Sequence, residues 1–251
     1  MNKIPLSKSF VANTVTALNI FSGFLSIVFA SEGNFKMAAI MIIAAAIFDT
    51  LDGIVARLLN TASKFGVELD SLSDVVSFGA APSFLVYKVY AYQFGVWGIF
   101  FSSLILIFGA LRLARFNTML SNIKTKGDFT GLPIPLSAIT IATLVLSYHE
   151  NGSMLEPYNK IFLPMVILLS ILMVSKIRYN ALPKLKNKNF KEKLLLFVTL
   201  IIALLLAIIT NGEILFYIFL AIVLFGIFRH AYKLLHGKKL DTKNEIKTSE
   251  S

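Results

Sequence analysis

Four aspartates crowd one short stretch of an otherwise apolar chain: Asp49, Asp52, Asp70 and Asp74. Asp49 and Asp52 are three residues apart and Asp70 and Asp74 four apart, so on helices each pair shares one face. A short connection between two such helices would set the pairs against each other. Between residues 49 and 74 the cations are Arg57 and Lys64, too few to neutralise four carboxylates. A cluster of that charge calls for divalent metal, and oxygen-only donors favour Mg²⁺, Mn²⁺ or Ca²⁺ over zinc. The plainer reading is a set of ordinary helix-end acids at a membrane surface. Asp70 and Asp74 fit it, because carboxylates favour helix N-termini. Asp49 and Asp52 fit it poorly. They fall in the C-terminal half of an apolar segment, where the helix dipole opposes them and a carboxylate costs roughly 2.5–3.5 kcal/mol to insert.

The elements that must hold these acids are membrane helices. Of the 251 residues 56% are hydrophobic and 15% charged, and the apolar residues run in long blocks without strand or surface-helix alternation. The blocks predict spans at 11–30, 36–60, 72–92, 96–116, 133–148, 158–177, 192–210 and 213–235. The fold class is therefore all-α: a polytopic membrane helix bundle of about eight transmembrane helices. Lys3 and Lys8 precede an apolar stretch too long and too polar, with Asn13, Thr16 and Asn19, for a cleavable signal. With a cytoplasmic N-terminus, 21 of the 24 Lys and Arg residues gather on the cytoplasmic side, leaving Lys36, Lys88 and Lys160 opposite. That asymmetry is the positive-inside pattern. It assigns the net charge of +10 to anionic lipid head groups, with no nucleic acid as partner. No cysteine is present, which excludes disulfides and Cys-ligated metal. The last two spans are nearly pure aliphatic and Phe, so the chemistry belongs to the first two-thirds of the chain. The tail over 237–251 is polar, charged and expected to be disordered.

The acidic stretch reads Asp49-x-x-Asp52-Gly53-x-x-Ala56-Arg57, eight residues, Gly66, three residues, Asp70, three residues, Asp74. It resembles the full signature of the CDP-alcohol phosphatidyltransferase family at all eight fixed positions. The resemblance implies a six-helix catalytic membrane core, here followed by two C-terminal helices, often working as a homodimer with its metal site open to the cytoplasm. It divides the chain into a catalytic core (1–180), a cytoplasmic loop with two accessory helices (181–236) and the tail (237–251). It also implies two divalent cations, Mg²⁺ or Mn²⁺, held by Asp49, Asp52, Asp70 and Asp74 against the CDP diphosphate, with Asp74 as general base toward the attacking alcohol. Gly53 and Ala56 lack bulk and would let the cytidine nucleotide lie close. Arg57 can fork onto a phosphate, and Gly66 would let the chain turn between helices. On the first span Asn13, Thr16 and Asn19 recur at three-residue steps. They could hydrogen-bond between helices; the family reading makes Asn13 and Thr16 nucleotide contacts.

The signature fixes the reaction, not the acceptor. Arg112 and Arg115 end the fourth span together with Asn117; as snorkelling anchors they would need no substrate. The runs DVVSFGAAP, LRLARFN and FTGLPIP resemble the serine-using branch of the family. This implies CDP-diacylglycerol and L-serine as substrates, with Arg112, Arg115 and Asn117 at the serine carboxylate. Of His149, His230 and His236 only His236 is followed two residues later by Lys (Lys238), so the paired His-x-Lys motifs of the phospholipase-like route through a phosphatidyl-histidine are missing and that route is excluded. Glycerol 3-phosphate, inositol phosphate and choline remain rival acceptors. A cation transporter is the rival of another class, but it predicts acids spread through the membrane depth. Cytosolic-side substrates place the chain in a prokaryotic-type inner membrane, with both termini and the active site cytoplasmic.

Overall fold

The computed structural model describes residues 6–59, 63–121, 131–150, 152–177, 179, 210 and 212–249. Two long helices open it, α1 (Leu6–Ser31) and α2 (Phe35–Leu59). The reversal between them is built by Gly33, whose φ of +81° suits a residue without a Cβ, and by Asn34, whose side-chain oxygen accepts the Met37 N–H at 3.3 Å. Ala30, Ala38, Ala39 and Ala45 are fully buried, and their small size lets α1 and α2 lie close together.

The next element is one rod in three parts. Helix α3 (Lys64–Asp74) starts at an N-cap, Ser63, whose Oγ accepts the Gly66 N–H at 3.0 Å. A π-helical turn, Val75–Ala80, follows directly after Asp74, and α4 (Ala81–Val89) continues from it. Pro82 supplies a reason for the widened turn. It has no N–H and its ring crowds the carbonyl one turn back, so the rod relaxes there, and the Ala81 N–H reaches back to Val76 O.

Two findings differ from the expectations. Gly66 lies inside the first turn of α3 and does not make the bend between helices; the connection precedes Ser63. Asp70 and Asp74 are not first-turn acids, because α3 begins at Lys64. The helix-terminus account of them therefore fails.

The rod crosses α1 tightly. Ser73 Oγ donates to Thr16 O (3.4 Å) and Ser77 Oγ to Asn19 O (2.9 Å). A Cβ on Gly23 would stand 2.7 Å from Ser77 Cα and meet the Ser77 hydroxyl. Gly23→Ala is accordingly expected to destabilise the protein by about 1–3 kcal/mol through overpacking. Thermal unfolding in detergent checks this; an unchanged midpoint would mean that the two helices can part freely.

A short 3-10 turn (Ala91–Phe94) leads into α5 (Gly95–Ser121), which packs on both the π-helical turn and α4. Helix α6 (Ile134–Tyr148) is introduced by Gly131 (φ +92°), whose N–H bonds Ile177 O at 2.8 Å, and by Leu132, whose N–H bonds Leu172 O at 2.9 Å. A two-residue hairpin, β1 (His149–Glu150) with β2 (Ser153–Met154), links it to α7 (Tyr158–Val174). The last helix, α8 (Glu213–Ser249), lies on α6, and the Tyr217 hydroxyl bonds those of Tyr148 (3.1 Å) and Tyr158 (2.7 Å).

This is an all-α membrane bundle. Among the described residues four helices are long and apolar enough to cross a bilayer: Phe10–Ser31, Phe35–Ala56, Ala91–Thr118 and Glu213–Tyr232. Two shorter apolar helices, α6 and α7, and the three-part rod fill three of the other four expected positions. Of the span expected at 192–210 all but Thr210 lies outside the described residues. The segment from 237, expected to be disordered, continues α8 as helix to Ser249. After Gly237 it contains neither Gly nor Pro, so nothing in it breaks a helix already started.

Candidate active site

Helices α2 and α3 bring the acids together, as their spacing requires. Asp49, Asp70 and Asp74 each offer a carboxylate oxygen within 4.8 Å of the other two. Asp52 stands beside this trio, is nearly buried, and has an Oδ2 with no hydrogen-bond partner. The inner oxygen of Asp74, Oδ1, is buried and unpartnered as well. Burial, and then the Asp52 charge, push the Asp70 carboxyl up to about 6. Lone pairs left unsatisfied in a buried, mutually repelling group are expensive. A divalent cation fits this donor set: all ligands are hard oxygens, and its charge would offset the repulsion.

Alongside the acids, α1, α2 and α3 enclose a cleft of ≈ 160 Å³ lined by Asn13, Thr16, Asp52, Gly53, Ala56, Gly66 and Asp70. Five of the six residues expected at the nucleotide thus share one cavity. Arg57 is on the last turns of α2, and its side chain lies outside what the structure describes. Gly53 and Ala56 face this space one helical turn apart, leaving room that larger side chains would fill. Asn19, third in the polar stripe, is fully buried one turn deeper, against Ser77, and takes no part in the cleft. Sequence reasoning missed Ala12, Ser63 and Val67, which also line it. Ser63 carried a legible signal, a Ser ahead of an amphipathic helix.

The three residues expected at the acceptor separate. Arg112 is within electrostatic reach of Asp74, and its Nε–H is buried without a hydrogen-bond partner. Arg115, one turn further along α5, is exposed. Asn117 turns toward α3, where its Nδ2 donates to Ser71 Oγ at 3.0 Å. The site therefore combines a cation-ready carboxylate cluster, a small-residue cleft and one half-buried arginine within electrostatic reach of Asp74.

Residues 9–172 match the sequence profile of the CDP-alcohol phosphatidyltransferase family, and the chain belongs to that family. Among its relatives is the CDP-diacylglycerol–serine O-phosphatidyltransferase of Helicobacter pylori, 44% identical over 192 residues, which are 76% of this chain and 79% of that one. The enzyme of the same name from Bacillus subtilis is 35% identical over 185 residues, 73% of this chain and 97% of that one. The archaetidylserine synthase of Methanothermobacter thermautotrophicus is 40% identical over 177 residues, 68% and 70% of the two chains.

Proposed function

We propose that this enzyme transfers the phosphatidyl group of CDP-diacylglycerol to the hydroxyl of L-serine, giving phosphatidylserine and CMP. The observation that carries this is the convergence of Asp49, Asp70 and Asp74, with Asp70 also lining the small-residue cleft and Arg112 within electrostatic reach of Asp74. The serine-using relatives named above support the choice of acceptor.

Asp49, Asp52, Asp70 and Asp74 would hold two divalent cations, Mg²⁺ or Mn²⁺. When bound, the cations supply charge neutralisation for the diphosphate and for the departing CMP. Asn13, Thr16, Gly53, Ala56 and Gly66 admit the cytidine nucleotide, and Arg57 would take one of its phosphates. Asp74 accepts the proton of the serine hydroxyl as the new Oγ–P bond forms in line with the breaking P–O bond; CMP leaves with that electron pair. A serine hydroxyl is barely ionised at neutral pH, so a base within hydrogen-bond reach is needed. Arg112 receives the serine carboxylate through its forked donors.

In this reading residues 1–180 form the catalytic core and 181–236 the accessory part. Both termini and the site face the cytoplasm of a prokaryotic-type inner membrane, and the enzyme works as a homodimer. The archaeal relative adds a second reading of the donor alone: an ether-linked CDP-lipid would present the same diphosphate to the same residues.

The test is CMP release by the purified protein with CDP-diacylglycerol and Mg²⁺ or Mn²⁺, giving L-serine, glycerol 3-phosphate, inositol phosphate or choline in separate reactions. Release with serine alone is expected. Release with a different alcohol keeps the reaction class and removes the assigned acceptor. In the same assay Arg112→Ala is expected to raise the serine KM about 10- to 100-fold, the equivalent of ~1.5–3 kcal/mol for a charged hydrogen bond. Arg115→Ala, an exposed position, should leave it within about twofold. Equal effects of Arg112→Ala on the serine and lipid KM values would assign Arg112 to folding instead.

A further inference from the structure

At the α3–α5 contact, one polar group has its orientation dictated by its neighbour. The Ser71 hydroxyl donates its only hydrogen to Val67 O at 3.0 Å, one turn back on α3. Its oxygen therefore has only lone pairs to offer, and the group of Asn117 that meets it at 3.0 Å must be the amide NH₂. The carbonyl oxygen, Asn117 Oδ1, is thereby turned away from Ser71, and it is buried with no hydrogen-bond partner. The same helix supplies the complementary unpaired donor in Arg112, whose Nε–H is buried and unpartnered within electrostatic reach of Asp74. Leaving both a buried donor and a buried acceptor unsatisfied is costly, so each is open to a ligand group of complementary charge.

We infer that Asn117 Oδ1 is the acceptor for the α-ammonium of the amino-acid substrate, and that Ser71 is the positioning residue that holds this oxygen toward it. The inference rests on the serine reading above and deepens it. A zwitterion carrying a hydroxyl has three groups to place: a carboxylate for Arg112, an ammonium for Asn117, and a hydroxyl for Asp74. An acceptor with a hydroxyl but no ammonium would leave Oδ1 unpaired, and sites built to hydrogen-bond a polar group reject analogues that lack it. The α5 terminus then reads both charges of the substrate, and selects amino alcohols over polyols and their phosphates.

The experiment compares L-serine, ethanolamine (hydroxyl and ammonium, no carboxylate) and 3-hydroxypropanoate (hydroxyl and carboxylate, no ammonium) as acceptors or competitive inhibitors of CMP release. Asn117→Leu should weaken serine and ethanolamine about tenfold or more while leaving 3-hydroxypropanoate and the CDP-diacylglycerol KM nearly unchanged. Asn117→Asp, which keeps an acceptor oxygen, should retain the preference for ammonium-bearing ligands. Ser71→Ala should lose part of that preference, and Ser71→Thr, which keeps the hydroxyl, should restore it. A serine-to-3-hydroxypropanoate preference that Asn117→Leu and Ser71→Ala both leave unmoved overturns the inference while the serine reading stands. Wild-type protein that releases no CMP with serine overturns both. If Asn117→Leu does not fold, Asn117→Asp and the Ser71 pair decide alone.

Discussion

Asp74→Asn is expected to lower CMP release with serine by about 10²- to 10⁴-fold, the range of a lost general base. The substitution keeps the shape of the side chain and removes its ability to take a proton. Asp74 is the most deeply placed of the trio, at the end of α3 where the π-helical turn begins. Ser73 and Ser77 on either side bond the backbone of α1, so the carboxyl is presented from a braced segment. Its unpartnered Oδ1 is an oxygen left free to meet a substrate proton or a cation. These two roles predict different losses. If Asp74 is the base as well as a ligand, CDP-diacylglycerol binding is largely spared, and raising the Mn²⁺ concentration refills the site of the variant without restoring its turnover. If it acts solely as a ligand, cation affinity falls with the rate, and raising the cation concentration restores activity. Substantial turnover at ordinary Mn²⁺ would remove Asp74 as base.

Much of this site could be read from residue spacing. The intervals of three and four within each aspartate pair are helix-face intervals, and a carboxylate placed in an apolar run needs a partner. What could not be read is what depends on depth and on neighbouring helices. Arg112 and Arg115 are equivalent by spacing, yet one turn of α5 separates a group beside Asp74 from an exposed one. Gly66 looked like a turn because glycine permits one; its conformation is helical, and its cleft-facing position is what its small size serves. The rod from α3 to α4 was expected as a plain span starting near residue 72. Hydropathy marks only its apolar part and says nothing of the amphipathic turns before it or of the widening ahead of Pro82. The Ser71–Asn117 bond joins residues far apart in the chain, and its consequence follows from which lone pairs and hydrogens are already committed.

The acidic cluster makes a prediction in which stability and activity move in opposite directions. Without cation, Asp49, Asp70 and Asp74 hold their oxygens within 4.8 Å of one another. Two like charges at that distance repel by about 3–4 kcal/mol at an effective dielectric constant of about 20, less whatever protonation relieves. Asp49→Asn removes one of the charges from the middle of α2. The cation-free variant is therefore expected to melt at a higher temperature than the cation-free wild type. Adding Mg²⁺ or Mn²⁺ reverses the order. The wild type gains stability by linkage, about 2.7 kcal/mol at a hundred times the dissociation constant, and the variant gains little. Activity follows the cation and not the melting point. EDTA should abolish wild-type CMP release reversibly, and Asp49→Asn should lose it by at least about 10²-fold at any cation concentration tested. Paired melting curves with EDTA and with Mn²⁺ provide the check. A variant that melts below the wild type in EDTA, yet shows the full cation-induced rise, would show Asp49 serving the packing of α2. The acids would then have to be explained without metal, as groups that the fold tolerates at its membrane surface.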